Sequence, residues 1–250
     1  MDDKTFDQKT AADWIEIVES EIGRVRNTDI YPLLNTWVNS VAPYEILEIG
    51  AGQGICSENI DLNGRNYIGV DPSPFLIERA NELYCHPNRR FLRGTVYDLP
   101  FSASAFDAAF SIAVWHLLER LQTATSELSR VLKDNGHFLI ITANPGAYSA
   151  WAGLYRDTKL DGRRFEGTVR HPDGLVSRDV LYLHSLDEIA HAFETAHCTV
   201  EGIETFRAFD GSAGEGKFVL VKGRKRPSIG AFTTCAPPRL LMRRRLPITD

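Results

Sequence analysis

The sequence predicts an α/β fold built on a doubly wound, largely parallel sheet, and three observations carry that expectation. From Tyr44 to Thr142, strand-like apolar runs alternate with helical patterns, as in parallel sheets joined by right-handed crossovers. The first run, Ile46-Leu47-Glu48-Ile49, breaks on Gly50-Ala51-Gly52-Gln53-Gly54, a bend in which glycine permits positive φ. Two later strand-like runs, 199–208 and 216–222, flank Gly211-Ser212-Ala213-Gly214, a hairpin signal that makes the final pair antiparallel.

Taken in order, Ala11 to Val25 has helical spacing, with Trp14, Ile15, Val18, Ile22 and Val25 on one side. Thr28 or Asp29 offers a cap for a second helix, Ile30 to Val41, which Pro43 closes off. Strands are expected at 45–50, 66–71, 89–93, 106–112 and 136–142, and helices near 54–61, 74–84 and 122–133. Asn135-Gly136 reads as the C-cap turn of the last of these helices. The interval 143–185 is too long for a plain connection and reads as a lid or binding element. Within it, Pro172 and Gly174 suggest a turn between Thr168–His171 and Val180–Leu183. A helix at 186–196 precedes the closing strands. The expected division is a helical cap (1–43), a body (44–222) carrying the insertion at 143–185, and a basic, flexible tail (223–250).

Hydrophobic residues at 43% and charged residues at 24% are ordinary for a soluble globular chain. The four cysteines show no CxxC spacing and read as reduced thiols, and the charged N-terminus lacks an apolar signal core. No run approaches the ~18 apolar residues of a membrane span. Together these point to the cytoplasm. The histidines are scattered, so no metal is expected. Residues 222–250 carry eight basic groups against one acid, a net +7, which leaves −12 on residues 1–221 of the overall −5. An acidic body argues against a nucleic-acid partner.

The glycine bend and Asp71, which ends the next strand-like run 17 residues after Gly54, suit a nucleoside whose ribose diol is held by the acid. A tight strand–helix turn with no ligand is the plainer alternative. Glu48, Gly50, Gly52 and Gly54 match, position by position, an acid followed by x-G-x-G-x-G. On these residues the chain resembles the class I S-adenosylmethionine (SAM)-dependent methyltransferases. Gly94-Thr95-Val96-Tyr97-Asp98-Leu99-Pro100-Phe101 followed by Phe106-Asp107 is similar to the "type 11" small-molecule subgroup.

The resemblance implies a Rossmann-like seven-stranded sheet of order 3-2-1-4-5-7-6 with an antiparallel last strand. It implies SAM bound by Glu48, Gly50, Ala51, Gly52, Gly54, Asp71, Pro72, Thr95, Val96, Tyr97, Asp98, Ile112 and Ala113. The subgroup's adenine-contacting acid aligns with Thr95, a departure that leaves the Thr95 hydroxyl and Val96 N–H as contacts, with Asp98 as a second candidate. By the same resemblance Arg24, Arg26 and Asn27 reach the methionine carboxylate or the acceptor, although surface charge is the plainer account of each.

His116 matches a histidine common in the subgroup and is a candidate proton acceptor, or else an orienting group for its loop. Trp151, Tyr155, Arg170, His171 and Tyr182 are the candidate acceptor contacts in the insertion, and His171 and His184 are further candidate bases. The favoured reading is methyl transfer to a small molecule. Methylation of nucleic acid or protein, and SAM or nucleotide binding without catalysis, are the alternatives.

Overall fold

The structure, a computed structural model, describes residues 26–147, 155–170, 176–206 and 218–228, with single positions among 11–19 and at 153 and 216. The helix expected over Ala11–Val25, with Trp14 and Arg24, the glycine hairpin at 211–214, and tail residues 229–250 with Cys235 fall wholly or mainly outside the described residues.

A π-helical turn, Arg26–Ile30, leads directly into α1 (Tyr31–Val41), with Pro32 in its first turn and Ala42 left-handed at its end (φ 49°). Then follow β1 (Glu45–Ile49), α2 (Cys56–Asn59), β2 (Asn66–Asp71), α3 (Pro74–Tyr84), β3 (Arg89–Arg93) and β4 (Phe106–Ile112). Next come α4 (Leu121–Val131), β5 (Leu132–Ala143), an insertion of β6 (Arg156–Asp161), β7 (Arg164–Arg170) and β8 (Val176–Tyr182), then α5 (Leu186–Thr195), β9 (Cys198–Phe206) and β10 (Phe218–Lys225).

One sheet runs β3-β2-β1-β4-β5-β10-β9, parallel from β3 to β5, with β10 antiparallel to both neighbours. This is the expected order 3-2-1-4-5-7-6 once the insertion's strands are counted. Strand period 2 sorts its residues into two apolar layers. Leu47, Ile49, Phe138 and Val219 pack with Leu128 and Phe193 on one face, and Ile46, Tyr67, Phe110 and Leu139 pack with Leu34 and Val38 on the other.

Three boundaries differ from expectation. The fourth helix stops at Val131, because Leu132 already pairs with Phe106 as sheet. Asn135 does take positive φ (62°), but inside β5, where the register slips between Phe106 and Ala108. Asn135-Gly136 is therefore a strand bulge and not a helix cap. β10 continues to Lys225, so Gly223, Arg224 and Lys225, expected in the tail, are sheet residues paired with β9.

The insertion forms a second sheet, β6-β7-β8, antiparallel throughout. A β7–β8 hairpin agrees with the turn read from the sequence, but Thr168–Arg170 pair with Val176–Arg178, and Val180–Tyr182 pair with Arg164–Glu166, so the arms are longer and differently registered than expected. β6 was not expected; all six of its residues are exposed, and its register slips between Arg156 and Lys159, where Asp157 takes φ 50°.

Candidate functional site

The sheet reverses direction of winding between β1 and β4, the switch point at whose carboxyl edge open α/β sheets hold ligands. The glycine bend leaves β1 there. Gly50, Gly52 and Gly54 all have positive φ (77°, 55° and 81°). At Gly50 an added Cβ would lie 2.2 Å from Val114 Cγ2, and at Gly54 2.7 Å from the Phe91 ring, so both glycines admit the chain's own side chains.

Four of the bend's N–H groups are spent inside the chain: Gly50 and Ala51 donate to Val70 O, Gly54 donates to Ala51 O, and Gly52 donates to Asp71 Oδ2 at 3.0 Å. The following helix α2 is a single turn, too short to add a field of its own. Asp71 completes its hold by accepting the Ser73 N–H at 2.9 Å on Oδ1. It is 7% exposed, and burial pushes its carboxyl up to about 6 against the pull of the Ser73 and Gly52 N–H groups. Asp71 thus pins the bend to the carboxyl end of β2.

Glu48 faces the other way from Leu47 and Ile49, onto the α1 layer. It is buried, and the Tyr67 hydroxyl donates to its carboxylate. Burial raises it to about 7, opposed by the Tyr67 bond, the charge of Arg26 and the Cys56 thiol. Arg26 also bonds Tyr31, so the turn preceding α1 is tied to the floor beneath the glycines. Tyr67 was missed from the sequence; its place one strand over, on Glu48's face, is the signal that pointed to it.

Beyond β3, Thr95 and Asp98 form an isolated bridge, and Thr95 Oγ1 accepts the Tyr97 N–H. Val96 is buried in the core, Asp98 is exposed, and the Arg120 guanidinium lies 4.1 Å from the centre of the Tyr97 ring. At the end of β4, Ile112 is buried and Ala113 takes a left-handed φ of 59° while donating to Ile141 O. Pro72 follows Asp71, half-buried, its carbonyl accepting from Arg93 Nε.

His116 lies in the 3-10 turn Trp115–Leu117. Its Nδ1 accepts the Ala143 N–H at 3.3 Å and sits 3.1 Å from Thr142 Oγ1, which itself accepts the His116 N–H. Burial holds the ring down to about 4, so it is neutral at neutral pH. In the insertion, Tyr155 packs edge-on to Phe165 and donates to Asp179, and Tyr182 stacks on His184. Arg170 ends β7; Trp151 and His171 lie outside the described residues. Among the described residues no group of three or more His, Cys, Asp or Glu side chains is placed to hold a metal ion. None of their helices is long and apolar enough to cross a membrane.

A family model described as a methyltransferase domain matches residues 47–140, from mid-β1 to mid-β5. Over these residues the chain is similar to the type 11 methyltransferase domain family. The chain is 32% identical over 103 residues to the uncharacterised methyltransferase YcgJ of Bacillus subtilis, covering 40% of this chain and 41% of that protein. It is 30% identical over 102 residues to a fatty-acid O-methyltransferase of Mycolicibacterium smegmatis, covering 40% and 37% respectively. The chain spans about two-fifths of the length of these curated relatives. In fold, the chain is similar to a crystal structure from Pyrococcus horikoshii at TM-score 0.68 and 19% identity, over 84% of this chain and 96% of that one. The family match stops before the insertion and the last two strands.

Proposed function

We propose that this chain transfers a methyl group from SAM to a small-molecule acceptor by in-line displacement. When bound, SAM supplies a methyl group on a sulfonium, whose leaving group needs no further activation. The chain's contribution is then orientation, an effect worth up to several kcal/mol. The observation that carries the reading is the Gly52–Asp71 bond at the switch point, which holds an acid and a glycine bend of matching sequence together at the carboxyl edge.

One further observation supports the fit: Gln53 Nε2, in the same bend, is a buried donor with no partner among the described residues. Asp71 is assigned to the ribose hydroxyls. Each of its oxygens accepts one N–H and keeps lone-pair capacity for another donor. Gly50, Ala51, Gly52 and Gly54 shape the adjoining edge, with Pro72 beside them. Thr95, Val96 and Tyr97 are assigned to the adenine side, with Asp98 at the rim, and Ile112 and Ala113 to the methionine side. Glu48, through Tyr67 and Arg26, supports the bend from below.

His116 enters as a positioning residue. A neutral ring whose Nδ1 already accepts a backbone N–H is a weak proton acceptor on that nitrogen. The acidic body and the sheet of the insertion support a small acceptor over a polymer, as does likeness to a fatty-acid O-methyltransferase. Tyr155, Arg170, Tyr182, Trp151 and His171 remain the candidate acceptor contacts. The free thiols of Cys56, Cys85 and Cys198 support a reducing, cytoplasmic setting.

Calorimetry on the full chain with SAM, S-adenosylhomocysteine and NAD tests the reading. Binding of the first two without NAD is expected; NAD binding without either would overturn it.

A further inference from the structure

A small cavity lies where the insertion meets the main sheet, between the 3-10 turn after β4, the end of β5 and the β8–α5 junction. Its volume of about 10 Å³ admits one water-sized group. Two of its walls carry polar atoms that have no hydrogen-bond partner among the described residues: Trp115 Nε1 and His184 Nδ1. Both side chains are deeply buried, at 1% and 3% exposure.

The chemistry of the two atoms is complementary. The indole nitrogen only donates. His184 Nε2 lies 2.6 Å from Leu118 O, and a carbonyl only accepts, so Nε2 carries the proton. Burial holds the ring below its usual range and so neutral, although Leu118 O opposes this. Nδ1 is therefore the acceptor nitrogen. One orphan donor and one orphan acceptor belong to side chains that line one small space. A carbonyl or carboxylate would satisfy only the indole, and an ammonium only the imidazole. A hydroxyl satisfies both.

We propose that this cavity is a binding site for a single hydroxyl group, which accepts from Trp115 Nε1–H and donates to His184 Nδ1. The hydroxyl belongs to a water molecule or to an alcohol entering from the carboxyl edge. The second source rests on the methyl-transfer reading, and the first does not. In either case the hydroxyl joins the β8–α5 junction to the turn that bears His116, so the insertion and the main sheet are held through it.

Nitrogen-15 NMR of the full chain, without cofactor, tests the site directly. The expected result is a water-to-indole Overhauser peak at Trp115, with the His184 Nδ1 resonance displaced as for a nitrogen that accepts a hydrogen bond. Adding 1-octanol as a probe separates the sources. Replacement of the water peak by alkyl peaks assigns the hydroxyl to an alcohol, and persistence assigns it to water. Trp115→Phe keeps an aromatic ring at the position and removes the donor, so the displacement at His184 is expected to shrink or disappear; an unchanged displacement would overturn the pairing. A wild-type His184 Nδ1 resonance at the position of an unbonded nitrogen, with no peak at Trp115, overturns the proposal whether or not the variant folds. Calorimetric failure with SAM would leave this measurement untouched, so the two readings fall separately.

Discussion

Asp71 is asked to do two things, and its titration lets them be separated. Its carboxyl is raised to about 6 by burial, so the unliganded chain takes up a proton there as pH falls through that value. A protonated acid is a poorer acceptor for hydroxyl donors. SAM affinity measured by calorimetry is therefore expected to fall below about pH 6, and Asp71→Asn should weaken binding by roughly 1–3 kcal/mol and remove that step. Unchanged affinity in Asp71→Asn would place the ribose elsewhere. Glu48, raised to about 7, contributes its own step at higher pH that the Asp71 variant should retain. Gly50 makes a different demand. Alanine there meets both a left-handed φ, at roughly 1–2 kcal/mol, and Val114 Cγ2 at 2.2 Å. Gly50→Ala should lower the thermal midpoint, and adding Val114→Ala should recover the steric part only; full recovery would mean that the backbone tolerates the side chain. These residues were legible in the sequence because the requirement is local: positive φ and a fixed spacing are written in adjacent letters. The partners that spend the bend's N–H groups, Val70 O and Asp71, come from the next strand, and no local pattern announces them.

At the scale of elements, Asp107 at the start of β4 joins three strands. Its Oδ2 accepts the Tyr44 and Glu45 N–H groups at 3.1 and 2.8 Å, and Oδ1 accepts Lys133 Nζ at 2.6 Å. Burial works to raise its carboxyl, but the bonds from Lys133, Glu45 and Tyr44 outweigh it and hold the group below the usual aspartate range. A depressed acid adds stability that is present above its unfolded pKa and lost as pH falls through its folded one. Asp107→Ala should therefore cost roughly 1–3 kcal/mol in urea unfolding at neutral pH, and the gap from wild type should close as the solution is acidified below the ordinary aspartate range. A gap that stays constant with pH would assign the loss to packing. The sequence showed Phe106-Asp107 as part of a motif but not this role, which depends on pairings 26 and 62 residues away. β6 was hidden for another reason. Arg156-Asp157-Thr158-Lys159-Leu160-Asp161 has no apolar face to alternate, and it is a strand only because β7 lies beside it. Asn135-Gly136 carried a true signal for positive φ, but tertiary pairing at Leu132 decided which element owned it.

Over the whole molecule, the individual strands were legible in long, periodic apolar runs, while their order was legible only through the resemblance to the class I methyltransferases and agrees with the observed sheet. The end of the body was not legible, because β10 changes from apolar to basic at Lys222 while its backbone goes on pairing. Lys225 Nζ reaches Leu132 O, Arg226 N–H donates to His197 O, and Ser228 bonds Asp134 through both its N–H and hydroxyl. A chain cut after Lys222 should accordingly unfold at a lower temperature than one cut after Ser228. Equal midpoints would show that the sheet ends where its apolar pattern does. The outer strand of the insertion bears on a different property. A lone β edge is a template on which another chain can add a strand. β6 offers that edge with Arg156, Asp157, Lys159 and Asp161 along it and a break in its register at Asp157. Alternating charges and a kinked backbone make a poor surface for strand-by-strand growth, so the molecule can carry an added sheet after β5 and still resist assembling into fibres through it.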